Sequence, residues 1–172
     1  MDTIFAFVEG STLATWIRGE IPGSIYVFPV VVTLHTLGMG FLAGGSAAID
    51  LRILGFAPHV PIKPMVRFLP LIWLSFAVMA VSGVLLLIGY PTKALTNPMF
   101  YLKLCLIALA IWLLHQIAVM VLRAEKLDEE PVTSKAKALA AASLLSWIAL
   151  ITAGRLLAYT HKWEMLGVPA LT

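Results

Sequence analysis

The chain has 172 residues, 60% of them hydrophobic and only 12% charged, with a mean hydropathy of +0.95. A water-soluble domain of this size cannot hide that much apolar surface, because its outer layer must be wetted. Lipid is therefore the expected solvent, and the formal charge of +3 reports how loops sit across a bilayer rather than a nucleic-acid partner.

The first 22 residues have no basic stretch followed by an apolar core, so they do not read as a signal peptide. Within "STLATWIRGEIPG", Ser11 suits an N-cap, and Leu13, Trp16 and Ile17 recur at helical spacing with Arg18 and Glu20 on the other side. That pattern predicts a short amphipathic helix over about 11–20, lying at the membrane interface and ended by Pro22-Gly23.

Four long apolar runs follow. A bilayer core about 30 Å thick takes about 20 apolar residues as a helix, and backbone in lipid must satisfy its own hydrogen bonds. The first span, 26–49, has no charged side chain between Tyr26 and Asp50, yet it holds His35 and the glycines Gly38, Gly40, Gly44 and Gly45. Asp50 and Arg52 close it and read as interfacial charges, and Pro58, Pro61 and Pro64 punctuate the next loop. The second span covers 69–90. Asn97-Pro98, an N-cap with proline at the first helical position, opens the third, 98–122, which carries Lys103, His115 and the single cysteine, Cys105. After the polar loop "RAEKLDEEPVTSKAK" comes the fourth, 136–159, with Arg155 near its end and Tyr159 and Trp163 suited to an aromatic belt. Nothing divides residues 1–172 into separate domains, and the short connections predict an all-α, up-down-up-down four-helix membrane bundle.

Seven of the lysines and arginines fall in the loops after the first and third spans. Three fall on the opposite side, or five with the embedded Lys103 and Arg155. Basic loops stay in the cytoplasm, so both termini are expected on the periplasmic side of an inner membrane.

The polar residues inside the spans carry the functional reading. At 1.5 Å per residue, His35 lies about 14 Å below Tyr26, Lys103 about 8 Å below Pro98, and Arg155 about 6 Å below Tyr159. Three groups from three helices thus share one leaflet, while His115 lies about 18 Å deeper than Lys103. A charge within a span costs about 2.5–3.5 kcal/mol and usually faces a bundle interior or cavity. Lys103 and Arg155 could instead snorkel to the headgroups, and His35 could be a core histidine bonded to a carbonyl. If the three act together, haem b meets their chemistry: an axial imidazole in an apolar pocket, and cations for the propionates at the wetter end. In that arrangement Gly38, one turn from His35, leaves clearance for a flat ligand, and His115 is a candidate second axial ligand. His35 with Met39 could alternatively hold copper through imidazole and thioether. The Gly40-x-x-x-Gly44 face suits close helix packing, hence a third reading as a cofactor-free subunit that anchors a protein partner.

"LHTLGMGFLAGGSAAIDLRILG" resembles the first-helix pattern of the HemJ-type protoporphyrinogen oxidases and of CopD-like copper-resistance membrane proteins. "NPMFYLKLCLIALAIWLLH" is similar to the HemJ third-helix pattern. The resemblance implies a small haem b membrane protein in which His35 and Lys103, and with them His115, are functional, with a quinone or porphyrin-like redox partner. Together with "STLATWIR" and "AGRLLAY", the chain also resembles a set of bacterial four-helix membrane proteins whose likeness implies the fold alone.

Overall fold

The computed structural model describes residues 2–123 and 132–159. Most of the polar loop, Trp163 and the side chain of Tyr159 lie outside what it describes. In chain order the elements are α1 (Asp2–Glu9), α2 (Thr12–Arg18), α3 (Val27–Leu54), a 3-10 turn (Lys63–Phe68), α4 (Leu69–Gly89), α5 (Pro91–Leu95), α6 (Pro98–Arg123) and α7 (Ser134–Tyr159), with no strand among the described residues. Helices α3, α4, α6 and α7 are long and apolar enough to cross a membrane. The chain is an all-α, multi-pass membrane bundle.

Its surface has the polarity that lipid selects. Leu37 and Phe41 on α3, Leu74 and Val81 on α4, Leu109 on α6 and Leu145 on α7 all stand exposed. The interior instead buries Ser46, Ser75 and Ser82, whose hydroxyls donate to the carbonyls of Leu42, Leu71 and Val78, one turn back on their own helices. Such small, self-satisfied residues let helices approach without stranding polar atoms.

Helix ends follow the residues that can cap them. Ser11 accepts from Ala14 N, and Gly19, in the left-handed region at φ 80°, closes α2 earlier than Pro22-Gly23. Asn97 Oδ1 accepts from Met99 N at 2.9 Å, with Pro98 at the first helical position. Helix α3 runs past 49 to Leu54 and is closed by Gly55 at φ 104°. This extension corrects the reading of Asp50 as an interfacial charge: it is only 1% exposed. Arg52, two residues on, does leave the bundle, and its guanidinium donates to the carbonyls of Pro58 and Val60.

Helix α3 packs on α4, α6 on α7, and α3 on α7, whereas α4 and α6 do not pack along one another. The helices therefore run in the order α4, α3, α7, α6 around an incomplete square. At one end the 3-10 turn touches both α4 and α6; at the other, α5 does so. Glycine sets the closest approach. A Cβ at Gly38 would lie 3.0 Å from Ser75 O and 3.1 Å from Met79 N, and one at Gly45 would lie 2.8 Å from Ile72 Cγ1. Gly40 and Gly44 meet nothing within 4 Å, so the Gly-x-x-x-Gly pair faces outward and the working pair is Gly38 and Gly45.

The short amino-terminal helices cover the end of the bundle that carries α5. Glu9 Oε1 accepts from Thr92 N at 3.1 Å, and Arg18 donates to Gly89 O at 3.1 Å while holding Glu20 at 2.6 and 2.9 Å. The Arg18 guanidinium holds the Glu20 carboxyl below its ordinary value, and Glu20 in turn raises Arg18. A carboxylate depressed in the folded state contributes stability above its unfolded pKa and loses it as pH falls through the folded one. The protection of α2 amides, taken relative to their intrinsic exchange rate at each pH, is therefore expected to stay flat from neutral pH down to about pH 4.3 and to fall below it. A flat profile in Glu20→Gln checks the assignment.

Candidate functional site

Where α4 and α6 stand apart, beneath α5, lies a cleft of about 410 Å³, within the roughly 300–1,000 Å³ range of small-molecule pockets. All four spans line it. Helix α3 contributes Phe28, Val32 and His35; α4 contributes Gly83, Leu86, Leu87 and Tyr90; α5 adds Lys93 and Ala94; α6 adds Phe100 and Lys103; and α7 adds Gly154 and Leu157. The walls are apolar, two lysines and one imidazole are set into them, and among the described residues no carboxylate lines the space.

His35 is fixed from α4. Its Nδ1 lies 3.0 Å from Met79 O and 3.1 Å from Ser82 Oγ. A carbonyl oxygen only accepts, so Nδ1 carries the proton and Nε2 keeps its lone pair. Gly83 makes the seat: a Cβ there would lie 3.2 Å from His35 Cε1. The carbonyl bond expected of an ordinary core histidine is thus present, and the same bond sets the tautomer and ring orientation that a ligating histidine needs.

Lys103 reaches the cleft from α6, its Cε 4.0 Å from where a Cβ would stand on Gly154, and its charge is close enough to act on the His35 ring. Lys93 is exposed at the mouth, near the edge-to-face pair of Phe28 and Tyr90, whose ring centroids are 5.7 Å apart.

The sequence thus placed His35 and Lys103 in one space, and the structure brings them together. Four other expected residues lie elsewhere. Arg155 is exposed: it follows Gly154, and one residue turns a helix by about 100°, away from the cleft. His115 is also exposed; twelve residues from Lys103 is three turns plus about 120°, so shared helix does not mean shared face. The room at Gly38 is taken by the α4 backbone rather than by a ligand. Met39 packs against the core cluster and does not line the cleft.

Lys93, Gly83, Tyr90 and Phe28 were missed. Lys93 carried a usable signal, because Pro91 directly before "TKAL" can start a helix and so fold the lysine back over the bundle instead of releasing it to a loop.

Among the described residues, no three His, Cys, Asp or Glu side chains gather to hold a metal ion. Comparisons with protein-family models, with curated proteins and with solved structures gave no significant match.

Proposed function

We propose that the protein binds haem b in this cleft and serves in electron transfer within a bacterial inner membrane. The observation that carries the reading is an imidazole with Nε2 free, held beside a lysine in an apolar cleft to which the described residues bring no acid. A metal at His35 must bring most of its ligands with it, which a porphyrin does. Two cations with no carboxylate beside them among the described lining residues call for an anionic ligand, which the propionates provide. His35 Nε2 would be the axial ligand, with Lys103 and Lys93 facing the carboxylates; Lys93 takes the part first given to Arg155. When bound, haem b supplies one-electron chemistry at a potential set by its axial ligand and surroundings. The protein's own share is to fix the ring through Met79 and Ser82, to exclude water with Phe28, Leu86 and Phe100, and to hold positive charge at the mouth. A quinone or porphyrin-like molecule is the proposed redox partner. The excess of basic residues in the loops beyond α3 and α6 supports a topology with both termini in the periplasm.

The test is the visible spectrum of the purified protein. A Soret band and a reduced-minus-oxidised difference spectrum are expected; colourless protein that takes up no added haemin ends the proposal. Lysine neutralisation is the finer probe. Lys103→Met is expected to weaken haemin binding about tenfold or more, on the scale of about 1.5–3 kcal/mol for a charge-assisted bond, and Arg155→Met to leave it unchanged. Haemin titration of the detergent-solubilised apoprotein measures both.

A second reading, a cofactor-free subunit anchoring a larger complex, is favoured by Gly40 and Gly44, which leave open space on the outer face of α3. It predicts colourless protein and loss of a co-purifying partner in Gly44→Leu.

A further inference from the structure

At the opposite end of the bundle from the cleft, α3 and α7 meet along a polar seam that the proposed haem chemistry does not use. Asp50 and Ser46 belong to α3, and Ser143, Ser146 and Trp147 to α7; all five are buried, with Asp50 1%, Ser143 0% and Trp147 2% exposed. Ser46 and Ser146 satisfy themselves, donating to the carbonyls of Leu42 and Ser143. Three atoms do not: Asp50 Oδ2, Ser143 Oγ and Trp147 Nε1 are buried without a hydrogen-bond partner. The Ser143 hydroxyl lies near the Asp50 carboxyl without closing a hydrogen bond to it, and Trp147 lies one turn along the same face of α7.

Among the described residues, an ionised carboxylate in that position meets no counter-charge. Helix α4 has no ionisable side chain. On α7, Lys135 and Lys137 are exposed at the first turn and Arg155 at the far end. On α6, His115 is exposed and Lys103 lies in the cleft; Arg67 in the 3-10 turn is exposed. Arg52 donates to loop carbonyls, and His35 is bonded to Met79. Leaving a carboxylate uncompensated in a buried site costs several kcal/mol, and such groups neutralise instead. A metal cation is a poor substitute, since it needs several oxygen ligands and the indole N–H only donates. A proton is the ligand that fits: it makes Asp50 a donor as well as an acceptor, and one water has the donors and acceptors to join the acid, the Ser143 hydroxyl and the indole.

We propose that Asp50, Ser143 and Trp147 form a proton-binding site, in which Asp50 is a neutral carboxylic acid at neutral pH. The proton comes from water at the adjoining face, which the four residues from Asp50 to Leu54 put about 6 Å away; Asp50 takes it as the carboxylate and returns it to the same water on ionising. His35 is fifteen residues back, about 22 Å, so this site stands or falls independently of the haem reading.

Infrared spectroscopy of the full-length protein in vesicles tests it. At neutral pH, where exposed carboxyls are ionised, a C=O stretch of a protonated acid is expected, downshifted in heavy water and absent from Asp50→Asn. Ser143→Ala and Trp147→Phe, which keep the helix and the bulk of the seam, are expected to move the band without removing it, and they carry the test should Asp50→Asn fail to fold. No acid band at neutral pH, a band that survives Asp50→Asn, a band unmoved by both neighbouring substitutions, or a band abolished by millimolar sodium or calcium overturns the proposal.

Discussion

His35→Ala is expected to abolish the visible spectrum of the purified protein while leaving the bundle folded. The imidazole is held to α4 through the one Nδ1 proton, shared between Met79 O and Ser82 Oγ, and a neutral hydrogen bond contributes about 1 kcal/mol. Met79 O remains a helix carbonyl with its own intrahelical donor, so losing the imidazole strands no acceptor. The cleft is already open at that point, so truncation widens existing space instead of cutting a new void into packed core. On the haem reading, ligation by contrast is assigned to this nitrogen. The comparison with His35→Phe separates the two functional readings. Phenylalanine keeps the ring's bulk against Gly83 but offers no lone pair; a haem protein loses its colour in both variants, and an anchoring subunit keeps its partner in both. Retention of an unaltered spectrum by His35→Ala would move the axial ligand elsewhere.

Gly38→Leu is expected to give the largest loss of stability of any single change in α3, and Gly44→Leu almost none in the isolated protein. Overpacking usually costs about 1–3 kcal/mol, and that range assumes side chains that can move aside. At Gly38 the obstacles are Ser75 O and Met79 N, both backbone atoms within 3.1 Å of the added Cβ. Relief therefore requires α4 to withdraw as a body, carrying with it the Met79 carbonyl that orients His35. Thermal unfolding in detergent should show a fall of many degrees for Gly38→Leu, together with weakened haemin binding. Gly38→Ala should fall between the two, and Gly44→Leu should match the parent. Equal losses at positions 38 and 44 would mean that α3 is rotated from the orientation described here.

These two glycines also show where reading the sequence succeeded and where it stopped. The four spans were legible because lipid demands about twenty apolar residues at a time, and Asn97-Pro98 marked the start of α6 unaided. Depth was legible too: rise per residue put His35 and Lys103 in one leaflet, and they share a cleft. Azimuth was not. Arg155 and His115 have suitable depths and unsuitable faces, since on an almost uniformly apolar helix little in the pattern tells the inward side from the lipid side. The Gly40–Gly44 spacing matched a known packing motif, yet the seven-residue pair Gly38 and Gly45 does the packing. Asp50 was misread for a related reason. A carboxylate near the end of an apolar run looks interfacial until α3 is seen to continue beyond it. Helices α1 and α5, at eight and five residues, are too short to stand out as periodic patterns, and with α5 went Lys93.

The seating of His35 on α4 also bears on how the protein is made. Its tautomer, its orientation and its clearance all come from Met79, Ser82 and Gly83, on the very next helix of the chain. Synthesis proceeds from the amino terminus at about 5–20 residues per second, so the His35 imidazole is positioned while Lys103 is still on the ribosome. The first hairpin thus sets one wall of the cleft, and the second brings Lys103 to the other. A gene split between Leu95 and Pro98 should accordingly give two co-inserting fragments, the earlier of which already has its histidine set.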